Sequence, residues 1–239
     1  MGNRYHQVSI LSERYLEIVM GDLGNTLLLL LQAPIIAYCV VLVWGDTETV
    51  TNSLYFVLAL SSVWFGAINA CREIVKEKPM FHRERRVGLD PVAYVLSKVI
   101  VLSMLGFVQC LCLIYVVDMK VKLPGPEILH FLVLFTASLA GSGLGLALSA
   151  AVSTSDRAVT GVPILLLPQI LFSDVVMSHE HSSDLVKWIE RLTITDWAYE
   201  GMKNIAAAEI NLGTLVWGVL VMLLMAVFFV GLTMTLVKR

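Results

Sequence analysis

His179, Glu180 and His181, with Asp174 and Asp184 close by, are the residues of this chain whose types could hold a metal. Imidazole and carboxylate are the donors that zinc accepts, and a zinc site with one open position activates water. An HxH pair in a polar stretch with no third ligand at a set interval reads as solvated loop, so no metal is expected. No GxxxxGK[ST] phosphate loop, GxSxG, HExxH or CxxC occurs in the chain. Cys39, Cys71, Cys110 and Cys112 all fall inside or at the edge of apolar runs and read as small packing residues.

The second chemically dense stretch is CREIVKEKPMFHRERRVGLDP, residues 71 to 91, in which ten of the nineteen residues from Arg72 to Asp90 are charged. Six bases stand against Glu73, Glu77, Glu84 and Asp90, a mixture unlike the one-sided charge of a lipid-binding patch. Ile74, Val75, Met80, Phe81 and Val87 interleave with the charges, as on a surface that docks another protein. Pro79 divides the stretch into two short helices and Gly88 ends the second. The competing reading is an ordinary loop placed by its positive charge.

The elements around this stretch are apolar. The chain has 239 residues, 57% hydrophobic and 15% charged, against about 25% charged in soluble domains. Its apolar runs approach the roughly 20 residues that cross a bilayer as a helix. Six spans are expected: Thr26–Trp44, Leu54–Cys71, Pro91–Val117, Ile128–Val152, Arg157–Phe172 and Leu212–Val237. Before them, Val8, Leu11, Tyr15, Ile18 and Val19 recur at helical spacing, which predicts an amphipathic helix lying in the membrane interface. Asp90-Pro91 opens the third span as N-cap and first-turn proline. Ser153, Ser155 and Asp156 offer caps for the fifth, which Pro163 and Pro168 should kink. Ala137, Gly141, Gly145 and Ser149 make a small-residue ridge on the fourth span for close helix packing. Two short outer helices, one able to dip back into the membrane, are expected between spans five and six.

Twelve Lys and Arg residues fall on one side of this layout and five on the other, which places both termini in the cytoplasm. The expected protein is an all-α integral membrane protein of the cell membrane, with residues 1–239 forming a single domain. The net charge of −2 offers nothing to nucleic acid. The spans carry no carboxylate relay of the kind ion-coupled carriers use.

The stretch EKPMFHRERRVGLDPVAYVLSKVIV resembles the loop between the second and third spans of type-2 ABC exporter permeases, most of all the G subfamily and its bacterial relatives. Glu77, Lys78, Phe81, Arg83, Glu84 and Gly88 match that family's motif. The ALSAAVSTSDRA turn, the PQILFS ending and the WAYEGMKN stretch are also similar. The resemblance implies a dimer of permease halves, each with six spans. It implies a cytoplasmic coupling helix over about Lys78–Gly88 resting on an ABC ATP-binding subunit, which binds the ATP and magnesium. It implies no cofactor and no ATPase activity in this chain. By the same resemblance, Phe65 matches a cavity phenylalanine, and Val175 and Val176 match apolar gate residues. Asn69, polar near the inner end of the second span, joins Phe65 as a cavity candidate. Asp174 departs from the family's usual glycine, and the ATPase that G-subfamily members carry ahead of the permease is absent from these residues. The implied function is export of an amphipathic, lipid-like or drug-like cargo. The alternatives are a transport-free sensor or scaffold that recruits a cytoplasmic partner, and a metal-dependent lipid-processing enzyme using His179, Glu180 and His181.

Overall fold

The computed structural model describes residues 4–46, 51–173 and 188–238, and these are helical with short connections. Helix α1 spans Arg4–Gly21 and buries Leu11 and Tyr15, leaving Glu13 and Glu17 exposed. Asp22 separates it from α2 (Leu23–Trp44), whose Asn25 backbone N–H donates to the Asp22 side chain. Helix α3 (Asn52–Ala70) is buried along most of its length. A 3₁₀ turn at Val75–Glu77 leads into α4 (Lys78–Arg86), with Pro79 in the first turn, where its missing N–H costs nothing. Gly88, at φ +104°, ends this segment in a conformation that favours glycine. Helix α5 (Pro91–Val121) runs longer than the expected third span, and Asp90 caps it by accepting from the Val92 N–H at 3.0 Å.

Helix α6 (Glu127–Ala151) forms the centre of the bundle. Helix α7 (Ser155–Leu171) follows it and is capped by Thr154, not by Ser153, Ser155 or Asp156. The extended backbone of Thr154 lets its hydroxyl face the Arg157 N–H. The last two described helices are α8 (Ile194–Ile205) and α9 (Leu212–Lys238). Helix α6 packs along α3 on one side and α9 on the other, while α1 and α2 lean on α5. Helix α8 buries Ile194, Ala198, Tyr199, Met202 and Ile205 against α3, α6 and α9, at the end of the bundle away from α4.

Among the described residues, five helices are long and apolar enough to cross a membrane: α2, α3, α5, α6 and α9. The fifth expected span is the helix α7, whose 17 residues fall short of the roughly 20 that a perpendicular crossing takes. The small-residue ridge of α6 meets α3 as its spacing predicts. A Cβ built on Gly141 would lie 2.4 Å from the Val63 carbonyl oxygen, and one on Gly145 2.5 Å from that of Ala67.

Candidate coupling site

The charged stretch, α1 and the start of α5 converge on one buried ammonium. Lys98 is 2% exposed. Its Nζ lies 2.6 Å from Glu77 Oε1 and 3.9 Å from Glu73 Oε2, and 3.5 Å from the centre of the Tyr15 ring. A buried charge survives only where opposite charge and hydrogen bonds replace its water. Both carboxylates are themselves held. Tyr94 donates its hydroxyl to Glu77 at 3.1 Å. Lys76 Nζ lies 2.6 Å from Glu73, and the Tyr15 hydroxyl also donates to Glu73. Burial, and then the Glu73 carboxylate, hold the Tyr15 phenol well above its usual range, so it stays a donor at neutral pH.

The same helices grip α4 further along. Arg14 of α1 reaches Glu84 with two guanidinium nitrogens, at 2.7 and 3.3 Å. That hydrogen bond raises the pKa of Arg14 still further. Phe81 is buried, its ring centre 4.7 Å from that of Tyr94. Arg85 donates to the Lys238 carbonyl at the end of α9, at 2.8 Å. Ahead of the turn, the N–H groups of Ile74 and Val75 both donate to Ser149 Oγ of α6, each at 3.0 Å.

The motif residues therefore divide into two sets. Glu77, Phe81 and Glu84 face the chain's own helices, while Lys78 donates to the Val152 carbonyl at 3.4 Å. Arg83 is exposed, with no partner among the described residues, beside His82, Arg86 and Val87, which are exposed as well. Gly88 is open, and a Cβ placed on it would meet nothing within 4 Å. Between this face and α1 runs a groove of about 310 Å³, bordered by Ile10, Leu11, Val87 and Leu89.

Of the cavity candidates, Phe65 and Asn69 lie among the described residues. Phe65 lies wholly inside the core. Asn69 is buried and donates to Gln109 Oε1 of α5 at 2.6 Å, and Gln109 in turn donates to the Leu29 carbonyl of α2 at 2.7 Å. Two amides thus tie three helices together. Asn69→Leu is expected to cost about 1 kcal/mol, the usual worth of an interhelical hydrogen bond in lipid. Thermal unfolding in detergent should show Asn69→Leu and Gln109→Leu to be less than additive, because they break one shared bond.

Val175, Val176, Asp174, His179, Glu180 and His181 lie outside the described residues. Among the described residues no group of three His, Cys, Asp or Glu side chains could hold a metal. Sequence analysis missed Lys98, Tyr15 and Glu73 as members of the site. The signal was a single lysine seven residues past Pro91, inside an apolar span, since an ionisable residue at such a position marks a site by default.

The described residues form an all-helical, multi-pass membrane bundle whose charged segment folds back onto its own first helix. The chain belongs to the ABC-2 type transporter family, whose sequence profile matches residues 6–207. It is 24% identical over 235 residues to an ABC transporter ATP-binding/permease protein of Mycobacterium tuberculosis. The match takes in 90% of this chain, which spans about a quarter (26%) of that relative's length.

Proposed function

We propose that this chain is the permease half of an ATP-driven exporter, working as a dimer and energised by an ABC ATP-binding subunit or domain. The observation that carries the reading is the outward face of α4. The helix is clamped by its own chain through Glu77, Phe81 and Glu84, yet it leaves Arg83, Arg86, His82 and Val87 unclamped. Arginine's planar fork suits carboxylates on a partner surface. The relative's description joins ATP-binding and permease functions in one protein, which supports an ATPase partner for this chain. The positive bias of the α4 side supports a cytoplasmic place for it and for both termini. ATP and magnesium belong to the partner. The lipid-like or drug-like cargo follows from spans with an apolar interior and almost no fixed charge.

The surface is tested by reversing the outward charges while leaving the inward clamps intact. Arg83→Glu with Arg86→Glu should leave the chain folded and lower co-purified ATPase activity at least about tenfold relative to wild type, the effect of losing roughly 1.4 kcal/mol of binding. Full retention of that activity would remove the coupling reading and favour a membrane sensor or scaffold.

A further inference from the structure

We propose that Gln169 of α7 and Thr195 of α8 form a latch holding the end of α7 that lies away from α4, and that α7 swings on its prolines when the latch opens. Helix α7 is embedded by one narrow stripe, Ala158, Val162, Leu166 and Gln169. Val159, Ile164, Leu167 and Leu171 are exposed around it. Pro163 and Pro168 each remove a backbone hydrogen bond from the helix interior and make it easy to bend there.

In the latch a side chain acts as a helix cap. The first N–H groups of any helix lack partners within it. Thr193, at the N-cap of α8, makes no side-chain capping bond; its hydroxyl donates to the Glu190 carbonyl. Gln169 supplies the missing acceptor from across the bundle. Its Oε1 accepts from the Thr195 N–H at 3.3 Å and from the Thr195 hydroxyl at 2.9 Å. Gln169 is 6% exposed and Thr195 not at all. One partner of this contact is fixed, since α8 is packed into α3, α6 and α9. The other rides on a helix held by a single stripe. If α7 moves away, both donors and the amide must find water at once. That gives two discrete arrangements, closed and dry or open and wet, and disfavours a continuum between them.

The test is a spin-label distance between Leu171→Cys on α7 and Lys203→Cys on α8, both exposed, in the chain with its ATP-binding partner in nanodiscs. Cys39 and Cys112 are replaced by serine so that they take no label. Thr195→Val keeps the shape and loses the hydroxyl donor; Thr195→Ser keeps both donors. With labelled chain diluted into unlabelled chain, so that only the within-chain pair is read, wild type and Thr195→Ser without nucleotide should give one short distance. Thr195→Val should raise a longer-distance population about fivefold, the size expected for one hydrogen bond. Gln169→Leu, which removes the acceptor for both donors, should raise it more. A Thr195→Val distribution identical to wild type would overturn the latch. What opens it rests on the proposed ATPase coupling, and ATP added to wild type reads that separately. A wild type that ignores ATP while Thr195→Val opens would sink the coupling and leave the latch standing.

Discussion

Lys98→Met should be the most damaging single substitution in the charged end of the bundle, lowering stability by about 3–5 kcal/mol. Methionine fills much of the lysine stem's volume, so the loss is one of charge and not of packing. What the change leaves behind decides its size. Glu73 keeps Lys76 and the Tyr15 hydroxyl. Among the described residues Glu77 keeps only the Tyr94 hydroxyl, and a largely buried carboxylate with one donor is a poorly compensated charge. Adding Glu77→Gln should therefore restore part of the loss, because the amide accepts from Tyr94 without carrying charge. Lys98→Met also loosens the hold of α5 on the turn ahead of α4, leaving Tyr94 against Glu77 and Phe81, so on the proposed coupling the ATPase activity of the complex should respond less to cargo. Thermal unfolding in detergent checks the first effect and cargo-stimulated ATPase activity the second. A Lys98→Met chain as stable as wild type would mean that the ammonium is solvated and that the cluster does not hold α4.

The spans were legible because a bilayer demands long apolar runs, and the described helices α2, α3, α5, α6 and α9 follow those runs closely. The division of the charged motif was half legible. Glu77, Phe81 and Glu84 fall four and three residues apart and share one side, as side chains at helical spacing do, and the buried Phe81 shows which side is inward. Motif matching alone treats all six residues as partner contacts. Three of them answer to Lys98, Tyr94 and Arg14, which lie outside the motif on other helices. Pairing of this sort leaves no periodic trace in one sequence. Asn69 shows the same limit: its polarity was visible, while its partner Gln109, forty residues on, was not. Counting Lys98 only toward orientation hides a residue whose position inside an apolar run has its own meaning.

Gly66→Ala and Gly141→Ala should each destabilise the chain by more than about 2 kcal/mol, at the upper end for overpacking a tight site. The reason is what a single methyl would meet. At Gly66 it would sit 2.0 Å from the Ser138 carbonyl oxygen, and at Gly141 2.4 Å from that of Val63. Both obstacles are backbone of the facing helix, which cannot rotate aside as a side chain can. The two helices must therefore separate along their shared length, and the separation also pulls on Ser149, which holds the N–H groups of Ile74 and Val75 ahead of α4. A control lies in α9, where Gly231 has nothing within 4 Å of a built Cβ. Gly231→Ala should be neutral or gain up to about 1 kcal/mol from helix propensity. Detergent thermal shifts of the three variants, read side by side, separate close packing from the intrinsic cost of replacing glycine. Equal behaviour at Gly141 and Gly231 would mean that α3 and α6 are not in backbone contact. A large loss confined to Gly66 and Gly141 would make the α3–α6 seam the rigid centre against which the charged end and α7 are positioned.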